Sequence, residues 1–450
     1  MQYCSTSRKS ARFVGMALSF LLLALLGYPW PSRAEEASST FTLESSIEHA
    51  LTHSTQMLAT KEGVSAAEAN KKMQFTEFLP KLSASYAYTR LDEEKTPFLD
   101  VVTRPQNIHE FTGTVDQPIF AGFSKKTLYE ISALGLDVAR LLERETRLDL
   151  IMKTKTAYFE LLQKEKLEKV AHQAVTQLGA HADVANNFYE VGMIPKNDVL
   201  ESEVELANAN QDLIVAQNAV QIARSRFNTL LRRPVDAPLT VEDVLGYQPF
   251  SRVYEDCVET ALKQRPEMRI ADLGVETAEK EVKLTKTGYC PSIDLKANYY
   301  KRGDDPNLDG GEGIFFKEEW DATATASWTF WEWGKTRHGV NEKKSLLSQA
   351  RLNRIELEDN IRQEVKTAYL IVTAAEKNIS TVQKAVEQAL ENFRMNQERY
   401  KEQVATSTEV LDAQTLLTKT QTNYFNTLSV FNISEAGLDR AMGLEVVTKQ

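Results

Sequence analysis

The sequence predicts a mixed fold: a membrane β-barrel shared between chains, four strands from each, continued as a long α-helical barrel. Three observations predict it. The chain repeats itself at an offset of 211 residues. Each half carries two alternating apolar–polar segments joined by a polar loop. Each half then runs on without proline, from Pro118 to Pro195 and from Trp320 to Gln450.

The repeat is colinear. Ala50-Leu51 falls on Ala261-Leu262, Pro80 on Pro291 and Tyr88 on Tyr299. Thr156-Ala157-Tyr158 falls on Thr367-Ala368-Tyr369, Tyr189 on Tyr400, and Val199-Leu200 on Val410-Leu411. Near Phe120 and Phe330 the offset slips to 210 and then recovers. A first repeat at 35–233, a linker at 234–251, a second repeat at 252–443 and a short tail at 444–450 follow from this register.

Residues 1–34 read as a secretory signal. Arg8, Lys9 and Arg12 precede an apolar core, Phe13 to Leu26, and Ser32-Arg33-Ala34 offers a small-residue cleavage site. The core is shorter than the roughly 20 residues of a membrane-spanning helix. Cys4 precedes that core rather than following it, so no lipid anchor is expected. Loss of the signal lowers Lys plus Arg from 53 to 49 against 63 acids, a net charge of about −14 that argues against a nucleic-acid partner. A helix between Cys257 and Cys290 would hold them about 50 Å apart, whereas a disulfide needs α-carbons within about 7 Å. His49 and His53 share a helix face with no third ligand nearby, so no metal site is expected. There is no nucleophile–base pair or phosphate loop, and Gly310-Gly311-Glu312-Gly313 reads as a flexible acidic loop. Neither an enzyme nor a cofactor is predicted.

A helix at about 43–78 starts near Thr42-Leu43-Glu44-Ser45 and ends before Pro80. Strands follow at about 80–91 and 108–120. In the first, Leu82, Ala84, Tyr86 and Tyr88 oppose Ser83, Ser85 and Thr89. In the second, Phe111, Gly113 and Val115 oppose Thr112, Thr114 and Asp116. The second half repeats the layout, with a helix at about 252–288 and strands at about 291–302 and 318–331. Ile293, Leu295, Ala297 and Tyr299 oppose Asp294, Lys296 and Asn298; Trp320, Ala322, Ala324, Ala326 and Trp328 oppose Asp321, Thr323, Thr325 and Ser327. These lengths suit membrane strands, which need about 9–11 residues. Tyr86, Tyr88, Tyr299, Tyr300, Trp320, Trp328 and Trp331 form a candidate aromatic girdle. A two-faced sheet packed on a soluble core would show the same alternation.

The long helices are expected at about 122–190, 196–231, 334–400 and 406–442. Leu206, Ala209, Leu213, Ala216, Val220, Ala223, Phe227 and Leu230 step by threes and fours, and Leu417, Tyr424, Phe431 and Leu438 recur every seven residues, as close-packed helices require. Glu145 and Lys155 interrupt the apolar face of the first long helix. That helix would be roughly 100 Å long, which by itself describes a soluble rod equally well. Strands and helices must be explained together. Four strands cannot close a pore, and open edges do not survive in lipid. Two chains would give about eight strands, whose interior side chains fill, while three would leave room for a conduit. Closure therefore favours a trimer.

Taken together, this pattern resembles the TolC family of outer-membrane efflux proteins of Gram-negative envelopes. The resemblance covers nearly the whole mature chain. It rests on the duplicated plan, on Pro80 and Pro291 at the strand starts, on Gln117-Pro118-Ile119-Phe120-Ala121-Gly122, and on the two helical turns. It implies a homotrimer with a twelve-stranded outer-membrane barrel and a periplasmic coiled-coil tube. Such a trimer would dock a periplasmic membrane-fusion adaptor and an inner-membrane pump or ABC exporter. It would act as a passive exit duct for efflux or type I secretion. The other reading is a soluble periplasmic coiled-coil scaffold or adaptor, which has no need of aromatic-ended paired strands.

Residue by residue, Val191, Gly192 and Met193 resemble the family's adaptor-contacting tip, and Gln403 and Val404 stand at the second tip. Gln403 replaces the expected glycine, and Ala405 stands where the best-known members carry a gating arginine. Glu409 and Asp412 match the acidic positions of the periplasmic constriction. One Asp per chain would become a ring of three on the axis, where like charges disfavour full ionisation and attract cations. Tyr400 and Asp198 are expected to help tie this gate shut. Solvated helix-surface acids are the plainer alternative for Glu409 and Asp412. The linker, with Pro234, Pro238, Gly246 and Pro249, is expected to belt the middle of the tube.

Overall fold

Two halves of one plan follow each other along the chain. The computed structural model describes residues 40–95 and 102–447; the expected signal, Cys4, part of the 92–107 loop and the last residues of the tail lie outside them. The first half runs β1 (Thr40–Phe41), α1 (Leu43–His53), α2 (Thr55–Thr76), β2 (Lys81–Arg90), β3 (Asn107–Ala121), α3 (Ser124–Glu190) and α4 (Lys196–Leu230). The second runs β4 (Thr240–Val241), α5 (Tyr254–Gln264), α6 (Pro266–Lys286), a 3-10 turn (Thr287–Tyr289), β5 (Ser292–Gly303), β6 (Glu318–Ser327), α7 (Lys335–Lys401) and α8 (Ser407–Ala441). The long helices are twins: α3 and α7 each have 67 residues, α4 and α8 each 35. At 1.5 Å per residue the longer pair extend about 100 Å.

Two expected helices are each divided. The stretch 43–78 breaks at Ser54 and the stretch 252–288 at Arg265, both in extended backbone with ψ 129 and 125. Pro266 accounts for the second break, because the residue before a proline is pushed out of the helical region. Ser54 is the repeat-equivalent position and makes the same break without a proline. The bend separates two environments. α1 buries Leu43, Ile47, Ala50 and Leu51, whereas α2 buries only Met57. The strand expected at 318–331 ends at Ser327, and residues 328–334 instead form the connection into α7.

The four long strands form one antiparallel sheet in the order β2-β3-β5-β6. Leu82 lies opposite Val115, Tyr86 opposite Phe111, Gly113 opposite Tyr299, and Tyr299 opposite Trp320. One face is therefore apolar and aromatic. The other carries Ser83, Thr114, Asp116, Lys296, Asn298 and Asp321. Within the chain neither face rests on a core: every residue of β2 is exposed, and Leu82 and Trp320 are both 76% exposed.

The core lies among the helices. One cluster joins Ala50, Leu150, Leu161 and Phe227; another joins Ala261, Ile361, Val372 and Leu438, the equivalents at the same offset. On the sheet side α3 packs between α2 and α6, and towards the turns it packs between α4 and α8; α7 closes the far flank against α6 and α8. The result is a wall four helices wide with α2/α4 at one edge and α7 at the other. The linker crosses this wall near its middle. Tyr158 Oη donates to the Phe41 carbonyl (3.1 Å) and the Glu242 carbonyl (2.8 Å), and its twin Tyr369 donates to the Arg252 carbonyl (3.3 Å). Lys155 finds a buried partner there in Asp439 at 3.5 Å, and Arg252 binds the same carboxylate at 2.6 Å.

Candidate functional site

The two hairpin turns at the far end of the helices share one geometry. In the first, Gly192 N–H donates to the Tyr189 carbonyl and Met193 N–H to the Phe188 carbonyl, both at 2.8 Å. In the second, Gln403 N–H donates to the Tyr400 carbonyl (2.9 Å) and Val404 N–H to the Arg399 carbonyl (2.8 Å). Both central residues are left-handed, Gly192 at φ 78 and Gln403 at φ 61. A side chain there costs about 1 kcal/mol or more relative to glycine. Gln403 Nε2 reaches Met193 Sδ at 2.8 Å, joining the turns. Val191, Met193 and Val404 are exposed and crown the tip with apolar surface.

Behind the tips, four helices enclose a small polar cluster. Tyr400, only 4% exposed, packs its ring on His181 (centroids 4.7 Å) and Phe188 (5.7 Å). His181 Nε2 bonds Ser407 Oγ at 2.9 Å, Ser407 lies 3.2 Å from Ser202 Oγ, and Ser202 Oγ donates to the Asp198 carbonyl at 2.9 Å. Burial pushes the Tyr400 phenol above its ordinary pKa, and the nearby Asp198 charge adds to this. Burial likewise pushes His181 below its ordinary value. Tyr400 and Asp198 are thus neighbours, but the Asp198 carboxylate takes its hydrogen bond from Asn197 Nδ2 at 2.9 Å.

Glu409 and Asp412 part company. Thr406 Oγ1 accepts from Glu409 N–H at 3.3 Å, capping the start of α8, and donates to Glu409 Oε1 at 3.4 Å. Arg399 Nη1 stands 3.4 Å from the other carboxylate oxygen. Glu409 is therefore engaged within its own turn. Asp412 is exposed and has no hydrogen bond or ion pair among the described residues. The sequence reading missed Arg399, although the Thr406-Ser407-Thr408-Glu409 spacing marks a helix start. It also missed His181, which meets Ser407 only in the folded chain.

At the sheet, Tyr86, Tyr88, Tyr299 and Trp320 lie on the apolar face near the loop end. Tyr86 Oη bonds His109 Nδ1 at 2.7 Å, and Tyr88 stacks on His109 with centroids 4.7 Å apart. Trp328 and Trp331 lie at the opposite end, past the strand: Trp328 Nε1 donates to the Tyr289 carbonyl at 3.2 Å, and Trp331 meets Trp333 at 5.6 Å. From Trp320 to Trp328 the strand rises roughly 27 Å, close to the ~25 Å apolar band of a membrane barrel. Tyr300 does not belong to the girdle. Successive strand residues point to opposite faces, so it lies on the polar face, with the Arg302 guanidinium 4.7 Å from its ring. Arg302 is itself held by Glu110 (2.6 Å) and Glu319 (2.9 Å).

Among the described residues no helix is long and apolar enough to cross a membrane, and no three His, Cys, Asp or Glu residues could hold a metal ion. His49 and His53 stack on each other at 4.2 Å, while Cys257 is buried and Cys290 exposed, both as free thiols.

Comparison with known proteins adds the family. The profile of the Outer membrane efflux protein family matches residues 46–231 and 257–444, one match per half. The outer membrane efflux protein BepC of Brucella suis is 21% identical over 397 residues, covering 86% of this chain and 82% of BepC. The Campylobacter jejuni CmeC outer membrane channel has the same fold, with a TM-score of 0.79 at 16% identity over 92% of this chain and 90% of CmeC. VceC of Vibrio cholerae matches with a TM-score of 0.76 at 17% identity over 89% of this chain and 96% of VceC. With a duplicated helix-rich fold and a family match across both halves, this chain belongs to the outer membrane efflux proteins of the TolC family.

Proposed function

We propose that three copies of this chain form a passive exit duct through the outer membrane of a Gram-negative cell, continued as a helical tube in the periplasm. The observation that carries the closure is the sheet itself. Its order β2-β3-β5-β6 alternates in direction, so the free edge of β6 can pair antiparallel with the free edge of β2 in the next copy. Three copies make a twelve-stranded barrel, wide enough for a lumen. The aromatic face then meets lipid, and the face with Asp116, Lys296 and Arg302 lines the lumen. The helical walls join through the α2/α4 and α7 edges in the same way.

The exposed Val191, Met193 and Val404 at the tip suit a periplasmic adaptor, which would connect the duct to an inner-membrane pump or exporter. Asp412 supplies the acidic ring of the periplasmic mouth. Tyr400 and Asp198 hold the helices behind it, with the Arg399–Glu409 pair tying the second turn in place of an arginine at position 405. A soluble scaffold gives no role to a sheet whose two faces are both uncovered.

Planar-bilayer conductance of the purified protein, with its mass in detergent measured alongside, tests this reading. Discrete cation-preferring steps from a trimer are expected. A protein that stays soluble and never inserts would sink it.

A further inference from the structure

Below the apolar sheet face, the start of α3 and the end of α6 enclose an open recess lined by Lys126, Lys280, Lys283 and Lys286, with Glu130 as its one acid. Glu130 is engaged by Lys280 at 2.6 Å and stands 3.9 Å from Lys126. Lys126, Lys283 and Lys286 are exposed, and the last two have no carboxylate within 4 Å among the described residues. The recess therefore holds surplus positive charge that the chain does not neutralise.

Its position gives that charge a partner. Phe120 pairs with Ile293 after the bulge at Pro118, so it lies on the apolar face. Phe123, which lines the recess, packs edge-on against Phe120 at 5.3 Å. Trp328 bonds the Tyr289 carbonyl, one turn beyond Lys286. The lysines thus sit directly under the lower aromatic belt and on its side of the wall. The α3–α6 contact is internal to the chain, away from the α2/α4 and α7 edges proposed for assembly, so in that arrangement neighbouring copies would leave it open.

We propose that Lys126, Lys283 and Lys286 hold the phosphate of an anionic phospholipid in the inner leaflet of the outer membrane, its acyl chains lying on Phe123 and the apolar sheet face. The site rests on the proposed membrane position of the sheet. Basic residues at a membrane surface attract anionic lipid, each by about fivefold in affinity. Lysines at a helix end also complement its dipole, but that role needs neither a recess nor an adjoining aromatic belt.

The test is native mass spectrometry of the full-length protein, released from nanodiscs of equal phosphatidylglycerol and phosphatidylethanolamine with matched acyl chains. Wild type is expected to retain phosphatidylglycerol selectively. The triple variant Lys126→Gln, Lys283→Gln, Lys286→Gln should lose that selectivity by at least about tenfold. The matching triple Lys→Arg variant should keep it, as should a control with Lys169, Lys377 and Lys384, exposed on the distant helices, changed to Gln. Equal retention of the two lipids by wild type, or undiminished selectivity in the Gln variant, overturns the lipid site alone. Failure of wild type to insert into bilayers at all overturns the membrane position and the site with it.

Discussion

Gln403 Nε2 lies 2.8 Å from Met193 Sδ, so the two helical turns of one chain are in direct contact at the tip. Gln403 holds this contact in left-handed backbone, where its repeat partner Gly192 is free of strain. Gln403→Gly removes about 1 kcal/mol of strain along with a weak sulfur contact. The amide of Val404, which closes the turn, should then exchange with solvent more slowly. Faster exchange would mean that the contact between the turns outweighs the backbone cost.

Asp412 and Glu409 should respond differently to the same truncation. Asp412→Ala is expected to weaken block by multivalent cations in single-channel recordings, because it would remove one charge per chain from the proposed ring. Glu409→Ala should leave most of the block intact and loosen the second turn by about 0.5 kcal/mol through loss of the exposed Arg399 ion pair, while the Thr406 cap on the backbone N–H remains. Equal loss of block in both variants would contradict the separate roles.

His181 predicts a pH dependence at the same end of the wall. Burial lowers its pKa below the ordinary 6.5, while opening of the helices returns it to that value. Above pH 6.5 the ring is neutral in both states and carries no penalty. As pH falls below 6.5 the opened state takes up the proton first, so closure weakens until the lowered pKa is reached. The facing groups are the Tyr400 phenol and Ser407 hydroxyl, with the Asp198 carboxylate nearby. Protection of the amides around Ser202 and Ser407 should drop between pH 7.5 and 5.5, after correction for intrinsic exchange. His181→Gln should flatten this dependence; an unchanged slope would reject it.

At the waist, Asp439→Ala strands Lys155 in a buried position and should destabilise the linker packing by about 3 kcal/mol. Adding Lys155→Met should recover much of that loss, since an apolar pair needs no counter-charge. Limited proteolysis of the 234–251 linker reads both effects. Equal cleavage of the single and double variants would show that the buried charge is not the cause.

Much of this was readable in the chain because duplication wrote it twice. Pro80 and Pro291 mark the strand starts, Val199 and Val410 the returning helices, and each supports the reading of the other. Pro266 marks the break at Arg265 but is passed over when 252–288 is read as one helix, whereas Ser54 carries no such mark, and only the repeat links them. Tyr300 was misplaced because aromatic content was counted without regard to the two-residue period. The His181–Ser407 contact spans 226 residues and lies between helices of different halves, so no local pattern could reveal it.

In the proposed tube, the equal lengths of α3 and α7, and of α4 and α8, would act as a gauge on the whole assembly. The two turns of one chain meet through Gln403 and Met193, so three copies in the proposed tube would present a level rim. One extra turn in a single hairpin, about 5.4 Å, would make every second tip protrude and leave its neighbour short of any flat docking partner. Length can therefore change only in step, with matching insertions in outgoing and returning helices of both halves. In the proposed tube the sequence of the helices could drift freely, while their lengths would stay matched.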